Sequence, residues 1–147
     1  MTHKILLTLH VLFAVLIIGP LALLDLVGPM AIKRGADELP VLRWGHRIAK
    51  ALGPASSAVL VLGLILVWHS DGVEIGDTWV ILAIILFIVA AVLGGAIGGK
   101  VYESAIGKLE RGESAAAEAS KAQLIGLVNF VVLVCVIWLM FDKPGAV

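Results

Sequence analysis

The chain has few charged residues and a single cysteine. Of its 147 residues, 11 are Lys or Arg and 11 are Asp or Glu, so the formal net charge is zero. Nucleic-acid binding depends on an excess of basic side chains, and we therefore expect no nucleic-acid partner. The single cysteine, Cys135, excludes a disulfide within the chain. The sequence has no glycine-rich phosphate loop and no nucleophile elbow, so it gives no support to nucleotide hydrolysis or hydrolase chemistry.

Charged residues are absent from four long apolar stretches of 20 to 22 residues, which are 5–24, 51–70, 78–99 and 122–141. A helix needs about 20 residues to cross about 30 Å of hydrocarbon. None of the stretches has the polar face that a soluble bundle helix presents to water. We therefore predict an all-α fold, in which one membrane domain over residues 1–147 forms a four-helix transmembrane bundle that runs up-down-up-down. The predicted helices cover about 4–32, 41–70, 78–106 and 115–141.

Basic residues are concentrated at one end of this predicted bundle. Nine of the 11 Lys and Arg residues fall in or beside the first and third connections between helices. Lys4 and Lys143 fall at the other end. Because basic residues near membrane ends favour the cytoplasmic side, we expect both termini outside. The expected location is the cytoplasmic (inner) membrane of a bacterium.

A basic stripe precedes the second apolar stretch. Arg43, His46, Arg47 and Lys50 follow one another at helical spacing and therefore share one face. Such a stripe at the membrane surface suits anionic lipid headgroups. We expect Arg43, Arg47 and Lys50 to form a lipid-facing basic rim, with the bilayer as the partner.

The third apolar stretch carries two overlapping rows of small residues. One row continues through Gly94 and Gly98, and the other consists of Ala91, Gly95 and Gly99. Small residues at every fourth position let helix backbones approach closely in a membrane. We predict that both rows are packing surfaces. The partner is either another helix of the same chain, or a second copy or larger membrane complex.

Among the polar residues in or beside the apolar stretches, three are the first candidates for function. Asp25 follows the first stretch, and we expect it to form a structural ion pair with a basic residue at a helix end. The candidate partners are Lys50, Arg47 and Lys100. Asn129 in the fourth stretch predicts a hydrogen bond between helices. The third residue is His10, near the start of the first helix.

His10 has three possible roles. A neutral imidazole can form a hydrogen bond between helices, can ligate a metal or haem iron, or can relay a proton. In the second role the candidate partners are His69, with a b-type haem between them, and Cys135, with a metal ion. His10 and His69 lie at depths that differ by about 9 Å at the rise of an α-helix.

The segment Leu9–Val15 (LHVLFAV), with Gly19 and the pair Lys33 and Arg34, resembles an uncharacterised family of small bacterial four-pass membrane proteins. That family is distantly similar to the CopD-type copper-resistance membrane domain and the HemJ-type protoporphyrinogen oxidase. The resemblance implies that His10 is associated with haem. The HemJ-type enzymes also depend on a lysine in the third helix, and residues 78–99 contain none. We therefore expect no oxidase activity.

The sequence leaves three functions open. The first is a haem- or metal-binding module in a redox or trafficking role that uses His10. The second is a non-catalytic accessory or assembly subunit of a larger membrane complex or a homo-oligomer. The third is a small transporter or proton path that uses Asp25 and Asn129. No single helix carries a continuous polar line, which makes the third the weakest of them at this point.

Overall fold

A computed structural model describes residues 2–70 and 72–142, and this part of the chain is almost entirely helical. It contains no strand. Four helical spans are each long and apolar enough to cross a membrane, and we number them in chain order: His3–Arg34, Ala36–Trp68, Thr78–Glu110 and Ala116–Asp142. The predicted all-α, four-helix architecture is confirmed. The protein is a multi-pass membrane protein.

Short turns reverse the chain between the spans. Gly35 (φ 92°) ends span 1, and Gly112 (φ 72°) lies between spans 3 and 4, in a backbone region that favours glycine. Arg111 Nε donates to Glu113 Oε1 at 2.6 Å across the second of these turns. This bond lowers the pKa of the Glu113 carboxyl. We call the end of the bundle that holds Gly35 and Gly112 the connection end, and the opposite end, with residues 72–77, the terminal end.

Two of the spans contain π-helical segments, in which backbone hydrogen bonds reach one residue further than in an α-helix. The first is Ala14–Ile18 in span 1, and the second is Val92–Gly98 in span 3. The sequence predicts a kink at Pro20, which lacks the amide proton of a regular helix. The π segment lies directly before Pro20, where a wider turn accommodates the missing hydrogen bond.

The four spans surround a common interior, and some pairs of spans pack together more extensively than others. Span 1 packs against spans 2 and 4, and span 3 packs against span 4 along its length. Spans 2 and 3 meet chiefly through the last part of span 3, Gly99–Glu110. The closest approach is at Gly126 of span 4, where an added Cβ would overlap the backbone carbonyl of Asp25. Span 1 and span 4 therefore touch backbone to backbone at Asp25.

Each end of the bundle has its own buried cluster. At the connection end, small and medium apolar residues from all four spans pack together, including Ile32, Leu42, Ala105 and Ala119. Lys108 Nζ lies 2.8 Å from the buried Glu118 carboxylate beside this cluster and joins spans 3 and 4. At the terminal end the cluster is made of Trp79, Val80, Ala83 and Leu139. Between these clusters the interior holds the polar residues described below.

Large apolar side chains face outward over most of the surface. Leu16, Met30 and Leu124 are examples, each more than half exposed. Buried positions are instead often taken by alanine and glycine. This is the reverse of a water-soluble bundle and matches a surface surrounded by lipid.

Candidate functional site

A cavity of about 470 Å³ lies between the spans, towards the connection end. Spans 1, 2 and 3 supply most of its lining, and span 4 adds Asn129 and Leu133. Apolar residues and glycines dominate the walls, and polar side chains interrupt them, among them Asp25, Tyr102, Asn129, Lys50, Lys100 and Glu103. A mostly apolar cavity of this size with a few convergent polar groups is typical of a small-molecule site.

The central polar contact joins Asp25 of span 1 to Asn129 of span 4. Asn129 Nδ2 donates to Asp25 Oδ2 at 2.6 Å. Gly94 of span 3 makes room for the pair, because an added Cβ would lie 2.9 Å from Asn129 Nδ2 and 3.4 Å from Asp25 Oδ2. Gly94 is six residues before Lys100, which places the pair roughly 9 Å below that end of the uncharged stretch. Three spans therefore meet at a carboxylate–amide pair within the membrane.

The partner of Asp25 differs from the one we expected. The predicted ion pair with Lys50, Arg47 or Lys100 is wrong, since none of the three pairs with Asp25 in the described residues. Lys50 instead binds Glu103, with Nζ 2.9 Å from Oε1. Long basic side chains at helix ends extend towards the headgroups, whereas Asp25 faces span 4. The predicted interhelical hydrogen bond of Asn129 is present, and it is made to Asp25.

The second carboxylate oxygen of Asp25 is left without a protein partner. Oδ2 accepts the bond from Asn129, while Oδ1 accepts none from the described residues. Asp25 also lines the cavity. An ionised carboxylate within a membrane is costly unless a cation or several hydrogen bonds offset its charge. The cavity thus contains an acidic group with unused binding capacity.

Tyr102 closes the same wall from span 3. Its hydroxyl donates to the backbone carbonyl of Leu24 at 3.3 Å, one residue before Asp25. The ring lies on Gly28, where any added Cβ would overlap it. Gly28 therefore allows Tyr102 to reach span 1. The contact holds spans 1 and 3 together beside the carboxylate.

The two small-residue rows of span 3 have different environments. Gly94 contacts Asn129, and Gly98 is buried near Ile125, so the row that contains them packs against span 4 as predicted. Ala91, Gly95 and Gly99 line the cavity instead of packing against another span, and packing of this row against a second copy or a larger complex stays a prediction. No heavy atom outside the neighbouring backbone lies within 4 Å of an added Cβ at Gly95 or Gly99. Adjacent helix positions differ by about 100°, so only one row can face span 4.

The predicted basic rim is largely engaged within the chain. Arg43 Nη2 lies 2.5 Å from Glu110 Oε1, and Lys50 and His46 both contact Glu103 of span 3. Among the described residues, Arg47 has no ion pair and is exposed. Two of the three basic residues that we expected to face lipid headgroups are thus bound to carboxylates. Their ion pairs hold spans 2 and 3 together at the connection end.

His10 is buried between spans 1 and 2. Its ring lies on Gly63, with Cε1 3.1 Å from the position of an added Cβ, and faces the backbone of Val59. The ring nitrogen Nδ1 is enclosed and has no hydrogen-bond partner in the described residues. His10 is 8% exposed, so a planar haem could lie against the ring only if spans 1 and 2 moved apart. The position fits a packed interhelical histidine better than an axial ligand.

The two predicted partners of His10 lie in different surroundings. His69 is exposed, and its Nδ1 lies 3.0 Å from the carbonyl of Ile65 in its own span. Cys135 is also exposed. The described residues contain no group of three or more His, Cys, Asp or Glu side chains that could hold a metal ion. The described residues therefore provide no three-ligand metal site at His10, and the pairing of His10 with His69 across a haem is tested by the spectrum below.

This arrangement predicts that the purified protein lacks a haem spectrum. In mild detergent, after expression with haem supplementation, we expect no Soret absorption band, because His10 is only 8% exposed and its ring is packed on Gly63 of span 2. The measurement is one ultraviolet–visible spectrum of the wild type beside His10→Ala. A Soret band in the wild type that disappears in His10→Ala would contradict the prediction and assign haem to His10.

The functional interpretation depends on the geometry of the cavity. The chain matches no protein-family model, no curated protein and no solved structure. The features that carry the argument are therefore the open volume between the spans and the Asp25–Asn129 pair on its wall.

Several residues of this site gave no clear signal in the sequence. Tyr102, Gly28 and Gly126 are important because of the helix that each one meets, and the sequence does not specify that helix. The sequence did offer one signal, which is that Asp25 directly follows the first apolar stretch and Asn129 is an amide in the interior of the fourth. Polar groups in a membrane tend to find one another.

Proposed function

We propose that the protein binds a small amphiphilic amine in the cavity between its spans. The protonated amino group of the ligand binds Asp25, and its apolar part lies along the alanine and glycine walls. The observation that carries this proposal is the Asp25 carboxylate, which lines the cavity and has one oxygen without a partner among the described residues. Asn129 acts as the positioning residue, because its bond to Oδ2 leaves Oδ1 turned to the ligand.

The physical basis of the proposal is the cost of an isolated charge in hydrocarbon. A carboxylate in this environment is either neutralised by a proton or paired with a cation. In the described residues, no basic side chain pairs with Asp25. A ligand ammonium group would supply that charge and several N–H donors at once. An amine is therefore favoured over a neutral or anionic ligand of the same shape.

The proposal includes a small transporter or carrier in a bacterial cytoplasmic membrane. The connection end, with nine of the 11 basic residues in or beside its two connections, faces the cytoplasm in this proposal. The cavity lies towards that end, so the ligand would be held in the cytoplasmic half of the bilayer. Both termini would lie outside.

A matched pair of fluorescent probes tests the proposal. The protein in lipid nanodiscs is titrated with 1-pyrenemethylamine and, separately, with 1-pyrenemethanol, which has the same ring system without the positive charge. Charge-assisted hydrogen bonds are worth about 1.5–3 kcal/mol. We expect the amine to bind at least about tenfold more tightly than the alcohol.

Empty nanodiscs of the same lipid composition measure the partition of each probe into lipid, and this background is subtracted. Saturable binding of the amine above the background supports the proposal. Equal affinities of amine and alcohol, or no saturable binding of either probe, would overturn it.

A further inference from the structure

The wall of the cavity is open between spans 2 and 3 within the membrane. These spans meet chiefly where Gly99–Glu110 contacts span 2, and little of the earlier part of span 3 touches it. Ala91, Gly95 and Ala96 line the cavity and are exposed. They belong to the uncharged stretch 78–99, and Gly95 lies five residues, roughly 8 Å, before Lys100. The opening therefore faces lipid hydrocarbon and not water.

Span 2 supplies the other edge of this opening. Pro54 lines the cavity and is exposed. The preceding residue, Gly53, also lines the cavity and has no heavy atom within 4 Å of an added Cβ. Pro54 is four residues beyond Lys50, roughly 6 Å deeper in the membrane by the rise of an α-helix. We call the opening bounded by Pro54, Ala91, Gly95 and Ala96 the lateral opening.

Ion pairs close the same two spans at the level of the headgroups. Lys50 Nζ lies 2.9 Å from Glu103 Oε1, and His46 Nε2 lies 3.3 Å from the same oxygen. Arg43 and Glu110 form a further link closer to the connection end. Lys50, His46 and Glu103 line the cavity at this end, so a ligand that came from water would have to pass these charged side chains. The lateral opening is lined instead by Pro54 and small apolar residues.

We infer that the ligand reaches Asp25 sideways from the bilayer, through the lateral opening between spans 2 and 3. This inference rests on the proposed function and narrows its substrate class. The ligand is an amphiphilic amine that first partitions into the membrane, with its amino group near the headgroups of the connection-end leaflet. A strictly water-soluble polyamine or amino acid does not fit such a route.

Stopped-flow kinetics of 1-pyrenemethylamine binding test the route with a blocked opening. Ala96→Trp places a large side chain at the edge of the lateral opening, and Val92→Trp serves as the matched control. Val92 is an exposed residue of the same helix that does not line the cavity. We expect Ala96→Trp to slow association and dissociation by about tenfold each, and Val92→Trp to change neither rate.

A second variant tests the route from water. Glu103→Gln weakens the ion pairs with Lys50 and His46, so it would accelerate binding severalfold if the ligand arrived through the connection end. We expect it to leave the association rate unchanged. An unchanged midpoint of thermal unfolding shows that Ala96→Trp is folded, and Ala91→Trp, further along the same edge, replaces it if Ala96→Trp is not.

The outcomes separate this inference from the proposed function. Tight binding that requires Asp25, is unaffected by either blocking variant and is accelerated by Glu103→Gln would overturn lateral access and leave the proposed function in place. No saturable binding of 1-pyrenemethylamine by the wild type would overturn both. Slower association and dissociation in a blocking variant, with Val92→Trp at the wild-type rates, supports both.

Discussion

Asp25→Asn is expected to reduce the affinity for 1-pyrenemethylamine by at least about 30-fold. The change removes the charge and keeps the shape of the side chain. Loss of one partner from a desolvated, hydrogen-bonded charge pair costs about 2 kcal/mol or more, and about 1.4 kcal/mol corresponds to a factor of ten in Kd. The measurement is the same nanodisc titration, with the affinity for 1-pyrenemethanol expected to remain near its wild-type value.

The fold of Asp25→Asn should survive, because the oxygen of the new amide can still accept the bond from Asn129 Nδ2. Asp37→Asn is the matched control. Asp37 is an exposed acid in the first connection and does not line the cavity. If Asp25→Asn binds the amine as tightly as Asp37→Asn does, the carboxylate is not the anchor of the ligand.

Gly126→Ala is expected to destabilise the bundle by about 1–3 kcal/mol, although alanine is the better helix former. An added Cβ at this position would overlap the backbone carbonyl of Asp25, and backbone cannot move aside as a flexible side chain can. Overpacking of this kind costs about 1–3 kcal/mol. The change is measured as a lower midpoint of thermal unfolding in detergent, followed by tryptophan fluorescence.

Gly95→Ala is expected to have the opposite effect on the stability of the bundle. An added Cβ at Gly95 meets no heavy atom within 4 Å, so the substitution should be neutral or stabilise by up to about 1 kcal/mol through helix propensity. The sign of the effect therefore distinguishes a packed glycine from one that lines the cavity. A Gly126→Ala variant as stable as Gly95→Ala would contradict the close contact of spans 1 and 4.

The four spans could be predicted because each one is an uninterrupted apolar stretch of the length that a bilayer requires. Their mutual arrangement could not. In a soluble bundle the apolar face of a helix shows which side is buried, but here the lipid-facing and inward faces are both apolar. The sequence therefore predicts the helices and leaves open which face of each one meets its neighbour.

The partners of single polar residues in the site could not be predicted either. Asp25 was expected to bind a basic residue because charge is the strongest signal in the sequence, and its partner proved to be the amide of Asn129. The apparent lack of a polar path along any one helix was also misleading. Asp25, Tyr102 and Asn129 come from three different spans and line one cavity.

The π segment Val92–Gly98 has a consequence for the contacts of span 3 beyond it. Because its hydrogen bonds reach one residue further than those of an α-helix, it accommodates one more residue than a regular ladder between the same end points. If the same residues formed a regular α-helix instead, the additional residue would rotate the following helix, Gly99–Glu110, by about 100°. Glu103 would turn away from Lys50, and Tyr102 from Leu24. The position of both side chains thus depends on one additional residue in the backbone of span 3.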